Sequence, residues 1–471
     1  MGAFFSSGVE MSRTLQIRQS KTTLIGNGGV ALIGLALEKI IDVKSWVDSK
    51  FPVPKRAIPV SHLLKSYVAL LCQGERDFDK IEKFRGDEFF MNALGMDQVP
   101  SDPTLRQNLA PYANRLRPIV VQMSVAFLKS IKPTFERLHC GHVPIDIDVF
   151  TQDNSNSKKE GVSYTYAGFD GFAPIAAYLG SEGYCIGLDL REGKQHSARE
   201  ADLFLGDVIV RACELVSPEV ALLIREDSGF DSEKIYAVAI DQSQMRQANG
   251  GAAIDFLIKW NPRKTPVQEW YSQRCDEPAL WKTLREGKRV CEWEEDVEFE
   301  HAGKRYRMRR YYRMIERTID KDGIVLLIPD VELDAWNTTL KVAAPEVTAL
   351  YQDHGTHEQF HSEFKTDLDL ERLPSTSFSM NALVLCLAML AFNILRAIGQ
   401  SALLSDDAPI RQKRQKVKRR RVRTVIDTMI HIAAKFVRHA RRLVLHFSAY
   451  SPSFVVFERL YRQWAAMSLQ L

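Results

Sequence analysis

The sequence predicts a mixed α/β core with a β-rich insertion, preceded by a helical N-terminal region and followed by a basic, helical C-terminus. Three observations lead there. At His142 the pattern changes from helical blocks to strand-like alternation. From that point the elements run three strands, helix, strand, helix, strand. A charged, aromatic stretch then interrupts the series before an apolar strand resumes at Ile324.

Residues up to about Leu138 read as helices, in blocks such as Ser61 to Cys72 and Pro118 to Ile131. Pro100 to Leu109 looks like a helix start, with Ser101 or Asp102 capping and Pro103 in the first turn. The His139–His142 run has no partner cluster and reads as a loop. Strands are expected at Val143–Phe150, Phe172–Gly180 and Tyr184–Gly193, then a helix from about Ser197 to Val216. The fully apolar strand Val220–Asp227, a helix near Ser232–Asp241 and the strand Ile254–Trp260 complete the series. This is the order of a ribonuclease H-like sheet. A doubly wound fold would alternate strand and helix from the start and open on a Gly-rich turn, which is missing.

Pro262 to Gly323 alternates charged and aromatic residues, as in VCEWEEDVEFE and KRYRMRRYYRMIER, and reads as the β-rich insertion. The boundaries expected are 1–138, 139–261, 262–323, 324–400 and 401–471, the last holding a basic linker and helices from Val425 to Ser468. Ala382 to Leu395 is the longest apolar stretch. It is short for a membrane span, holds Asn393 and is followed by Arg396, so it reads as a buried core helix, with no membrane partner implied. The apolar run Gly29–Leu37 leads into Glu38 without a cleavage site and makes a poor signal peptide. Seven scattered cysteines without a CxxC pair suit a reducing cytoplasm and argue against disulfides or a zinc ribbon. Net charge is only +4, but Arg411 to Arg423 reads RQKRQKVKRRRVR, a block suited either to a polyanion contact or to a solvated linker.

Carboxylates inside apolar strands need a reason. Asp146 and Asp148 lie two apart, on one strand face, and Asp227 ends the most apolar strand. Any one of them is readily explained as a cap or an arginine partner. Together, buried acids repel unless cations neutralise them, and hard oxygen ligands suit Mg2+ or Mn2+. A third acid is expected on the helix after the last strand, in YQDHGTHEQFHSEFK. There Tyr351, Glu358 and Lys365 fall seven apart and would share a helical face, with Glu358 on metal and the other two on phosphate oxygens.

These residues resemble the DDE transposases of bacterial insertion sequences, in the group with a β-rich insertion and a Tyr-Arg-Glu-Lys signature. Tyr351, Glu358 and Lys365 match that signature, and His354 stands in its Arg place. IDIDVFTQD resembles the first-Asp strand, with Asp148 in the catalytic register and Phe150 where the family has Thr. IREDSGF resembles the second-Asp motif, giving Asp227. The likeness runs on to the Arg-rich RTVIDTMIHIAAKFVRHARRLVLHF.

The resemblance implies that Asp148, Asp227 and Glu358 hold two Mg2+ or Mn2+ ions for cleavage and strand transfer at double-stranded terminal inverted repeats and target DNA. It also implies a hairpin intermediate, a homodimer in the synaptic complex and a cytoplasmic, nucleoid-associated bacterial enzyme. Tyr351, His354 and Lys365 are expected on DNA, as are Lys418, Arg419, Arg420 and Arg421. A Trp of the insertion is expected to stack on a flipped base. Among Trp270, Trp281 and Trp293, the alternating strand pattern favours Trp293. The His354 and Phe150 departures also allow a catalytically decayed, DNA-binding remnant. HEQFH, His357 to His361, matches the H-E-x-x-H zinc-protease pattern, with Glu358 as base. That reading leaves Asp148, Asp227, Lys365 and the basic block unexplained.

Overall fold

A computed structural model describes residues 17, 19, 21–262, 265–403, 417–440 and 442–467. The first half of the basic block, 411–416, lies outside the described residues.

The chain enters through a short strand, β1 (Thr23–Ile25), and a set of helices that includes α1 (Val60–Leu71) and α2 (Ala113–Ile131). Between these two, Ser101 caps the helix Asp102–Leu109 by accepting from the Thr104 N–H, and Pro103 fills its first turn, as the sequence predicts. The core then runs β2 (Val143–Val149), β3 (Ile175–Leu179), β4 (Tyr184–Asp189), α3 (Ala201–Leu215), β5 (Leu222–Glu226), α4 (Glu233–Ala248) and β6 (Ile254–Lys259). In space the core strands lie β4-β3-β2-β5-β6. β2, β5 and β6 are mutually parallel neighbours, while β3 runs antiparallel to both β2 and β4. A meander followed by parallel strands with helical crossovers is the expected ribonuclease H-like arrangement.

Four further strands, β7 (Trp281–Arg285), β8 (Lys288–His301), β9 (Lys304–Ile319) and β10 (Val325–Thr338), extend this sheet from its β6 edge. The alternating charges of the insertion are explained by the β8–β9 register. Glu292 faces Arg313, Glu295 faces Arg310, Asp296 faces Arg309 and Glu298 faces Arg307, so an acidic strand lies against a basic one. One correction concerns β10. The apolar stretch at Ile324 does not return to the core: β10 pairs with β9 at Val325 and from Asp330 to Thr338, and only Trp336–Thr338 also pair with β6. Leu327 and Ile328 are correspondingly exposed.

After β10 come α5 (Ala344–Gln352), α6 (His357–Ser362) and α7 (Phe378–Leu403). By length and composition α7 could cross a membrane, but its most apolar window is wholly buried inside the protein. It packs on α2, α1 and β4. Its buried Asn393 is satisfied: the amide accepts from the Cys185 N–H and donates to the Cys185 carbonyl and to Ser124 Oγ.

The C-terminus is not wholly helical, as its Arg-rich pattern suggested. After a short helix at Val422–Val425, residues Ala434–His439 (β11) and Arg442–Phe447 (β12) form a hairpin whose first strand pairs with β1. Alternation in AKFVRH and RLVLHF favours this, since Ala434 and Phe436 are buried while Lys435 faces out. The final helix α8 (Phe454–Ala465) buries Val456, Phe457, Leu460 and Trp464 on one side.

Candidate active site

The site forms where β2 and β5, parallel neighbours, point their C-terminal ends at the segment that follows α5. In β2, Ile145 and Ile147 face one side of the sheet, and Asp146 and Asp148 the other. The two acids have different partners. Asp146 is 2% exposed and receives a bidentate grip from Arg225 of β5, Nε and Nη2 lying 2.7 and 2.8 Å from its oxygens. Arg225 Nη1 also donates to the Leu350 carbonyl at 2.8 Å, and His354 Nδ1 lies 2.9 Å from Asp146 Oδ1. Burial would raise the Asp146 carboxyl, but the Arg225 charge and the His354 contact outweigh it and hold it well below the usual range. Asp146 is a structural acid.

Asp148 turns toward an open cleft and keeps 19% of its side-chain surface. Its Oδ2 is 2.7 Å from His357 Nε2 and 3.9 Å from His361 Nδ1. Burial pushes this carboxyl up, and the hydrogen bond from His357 together with the charges of His361, His357 and His354 more than offsets it. Asp227, just past the end of β5, accepts from the Gly229 N–H at 2.9 Å, and no Lys or Arg pairs with it among the described residues. Burial and the Asp148 charge raise the Asp227 carboxyl. Burial and the charges of Asp227 and Asp148 likewise raise the Tyr351 phenol. Glu226, one residue before Asp227, is buried with neither oxygen hydrogen-bonded, and burial with the same two charges pushes it well up.

The segment carrying the signature is not one straight helix. α5 ends at Gln352, a tight 3-10 turn spans Asp353–Thr356, and α6 passes into a π-helical turn at Glu363–Asp367. Tyr351, Glu358 and Lys365 therefore do not share the single face that seven-residue spacing predicts. Glu358 and Lys365 line one cleft with Asp148, Phe150, Tyr166 and His361, with a volume of about 440 Å³. Glu358 is exposed and has no hydrogen-bond or ion-pair partner among the described residues. Lys365 reaches Glu371 at 3.0 Å. Tyr351 packs instead near Trp336, ring centroids 5.7 Å apart. His354, in the Arg place, is 3% exposed and committed to Asp146, so it does not present a surface for phosphate.

Comparison with known proteins now bears on this geometry. The family model for the transposase DDE domain, group 1, matches residues 11–250 and 323–468. The chain belongs to this DDE transposase family. The unmatched stretch between the two segments is filled largely by the insertion strands β7 to β9. A piggyBac transposase synaptic complex with hairpin DNA, solved by cryo-EM, aligns over 94% of this chain and 82% of that one, at 10% identity and a TM-score of 0.42. No curated protein is similar enough in sequence to match.

Other expected DNA contacts in this transposase are engaged within the protein. Trp293 lies parallel to its cross-strand neighbour Tyr312, centroids 4.7 Å apart, and Arg274 sits 3.9 Å over its ring. An alternating strand pattern places the Trp but does not reveal that its ring is taken. In the basic segment, Arg419 donates to Gln359 at 2.6 Å and lies over Phe360, Arg420 is buried, and Arg421 pairs bidentately with Asp367. Lys418 is the most exposed of the four and lies 3.8 Å from Glu136, while Arg421 stays partly exposed beside its Asp367 partner. These arginines strap the chain after α7 onto the signature segment. Sequence reasoning missed Tyr166, whose hydroxyl donates to the Val149 carbonyl at 2.9 Å beside the cleft, since an isolated loop Tyr carries no signal. It also did not foresee that His357 and His361 both lie beside Asp148. Membership of the transposase family sets the protease alternative aside.

Proposed function

We propose that this transposase cuts and rejoins double-stranded DNA at the terminal inverted repeats of its own bacterial insertion sequence. In this reading Asp148, Asp227 and Glu358 hold its divalent cations, two Mg2+ or Mn2+ ions. The observation that supports this most is the strand-end pair. Burial and the Asp148 charge raise the Asp227 carboxyl, neither acid pairs with an arginine or lysine among the described residues, and Glu358 stands in the Asp148 cleft without a partner there. Such an oxygen donor set fits a hard cation. When bound, the cations would lower the pKa of an attacking water and stabilise charge on the leaving oxygen of an in-line displacement at phosphorus.

The chain's own residues supply the rest. His357 fixes the Asp148 rotamer, Arg225 anchors the strand through Asp146, and Lys365 offers an ammonium at the cleft for a phosphate oxygen. The reading extends to a hairpin intermediate at the cut ends, a homodimer that holds two ends together, and a bacterial cytoplasm, which seven unpaired cysteines suit. The test is end-labelled DNA carrying the element's termini, incubated with purified protein and Mg2+ or Mn2+ and run on a denaturing gel. Nicks at the element boundary that EDTA abolishes are expected. Intact DNA under every metal condition, with specific binding retained, would instead favour a decayed remnant.

A further inference from the structure

Three histidines follow one another along the signature segment at 354, 357 and 361, with neighbouring ring centroids 4.1 and 5.2 Å apart. The first is committed to Asp146. The other two converge on Asp148: His357 Nε2, His361 Nδ1 and a carboxylate oxygen all lie within 4.8 Å of one another. Each ring is oriented from behind. His357 Nδ1 is held by the His354 carbonyl, which leaves Nε2 directed at Asp148. His361 packs against Phe150, centroids 4.6 Å apart at 28°, and against Tyr178 at 5.5 Å. It is 7% exposed, and its other nitrogen has no hydrogen-bond partner. Phe150 is thus a wall for His361, which gives the departure from Thr at this position a physical role.

We propose that His357, His361 and Asp148 bind a transition metal of borderline hardness, of the Zn2+ or Co2+ class, at a mixed nitrogen–oxygen position with open coordination sites. Two imidazoles and one carboxylate around a common point favour such ions over Mg2+, which prefers an all-oxygen shell. Asp227 and Glu358 are not needed for this position. The inference rests on the reading of Asp148 as a metal-facing carboxylate and adds the nitrogen donors that would select the ion.

Co2+ titration of the full-length protein without DNA tests it, read by visible absorption and by calorimetry. One Co2+ per chain with a ligand-field spectrum is expected, displaced by Zn2+ and not by Mg2+. Losing an orienting partner of a ligand typically weakens metal affinity by about 10–100-fold, so losing a ligand in His361→Phe or His357→Asn should cost at least as much. His361→Phe keeps a ring between Phe150 and Tyr178, so folding is checked by circular dichroism on the same sample. His439→Gln, at an exposed histidine of β11, should leave Co2+ binding unchanged. Binding that is equal in wild type and both histidine variants overturns the inference, as does absence of any Co2+ spectrum. Mg2+-dependent end cleavage without a Co2+ signature would leave the transposition reading standing and remove this one. A histidine-dependent Co2+ spectrum in protein that never cuts DNA would do the reverse.

Discussion

Asp146 and Asp148 show what alternation can and cannot say. Period-two spacing places both on one face, but only the neighbouring strand distinguishes them, because Arg225 lies opposite Asp146 in the β2–β5 register. Asp146→Asn should therefore damage the fold. It leaves a buried guanidinium without its carboxylate, a change that costs about 3–5 kcal/mol, measurable by urea denaturation. Asp148→Asn should change stability far less, and a comparable loss in both variants would contradict the division of roles. His354 was legible as a departure from Arg, but its commitment to Asp146 depends on a contact 208 residues away that no local pattern encodes. A second residue-scale prediction concerns His142, whose Nε2 lies 2.9 Å from Asp255. Burial opposes its charging, but the Asp255 hydrogen bond and the contacts with Cys140 together outweigh it and raise the imidazole to about 10. A raised folded-state value stabilises fully below about 6.5, the unfolded value, and the contribution fades as pH rises from there toward 10. Between pH 6.5 and 10 the wild type should lose about 1 kcal/mol more than His142→Gln, after discounting for partial exposure. Parallel pH profiles for the two proteins would contradict it.

Whole elements were read more securely than their ends. The core strands and the first crossover helix carry apolar periodicity, and the elements follow one another along the chain as expected, whereas α4 has almost none and runs on past Asp241 to Ala248. The broken signature segment was not legible, since Tyr351, Glu358 and Lys365 keep helical spacing in sequence while the backbone passes through 3-10 and π turns. The C-terminal hairpin was hidden because Ala-Ala and several arginines read as helix formers, and its pairing partner β1 lies some 400 residues earlier. The signature segment is positioned partly by Gly183, in the β3–β4 turn with φ +72°, where an added Cβ would meet the Phe360 ring at 2.1 Å. Gly183→Ala combines backbone strain with that collision. It should lower the melting temperature and reduce DNA cleavage together, and an unchanged protein would show that Phe360 is free to move. The basic segment behaves as an element too. Arg421→Gln, which breaks the Asp367 pair, should destabilise the protein. Lys418→Gln should leave stability alone and flatten the salt dependence of DNA binding by at most about one phosphate contact, a slope change near 0.9. A large slope change from Arg421→Gln without a stability loss would return that residue to the DNA surface.

At the scale of the molecule, the sheet brings distant acids together. β2 and β5 lie side by side although Asp148 and Asp227 at their ends are 79 positions apart, and the chain crosses the whole insertion before returning with Glu358. The β9–β10 part of the insertion continues the core sheet through Trp336–Thr338, so it is held rigidly against β6. The β1–β11 pairing joins the beginning and end of the described chain. This architecture, and membership of the DDE transposase family, lead to one central claim: three carboxylates from separate parts of the chain act as a single metal-dependent DNA-cleaving site. The most direct measurement compares wild type with Asp148→Asn, Asp227→Asn and Glu358→Gln on the same end-labelled terminal DNA, with a gel-shift assay beside it. The account predicts nicking by the wild type alone, with DNA retention nearly equal in all four proteins. Cleavage at the wild-type rate by any one of the three variants would contradict it.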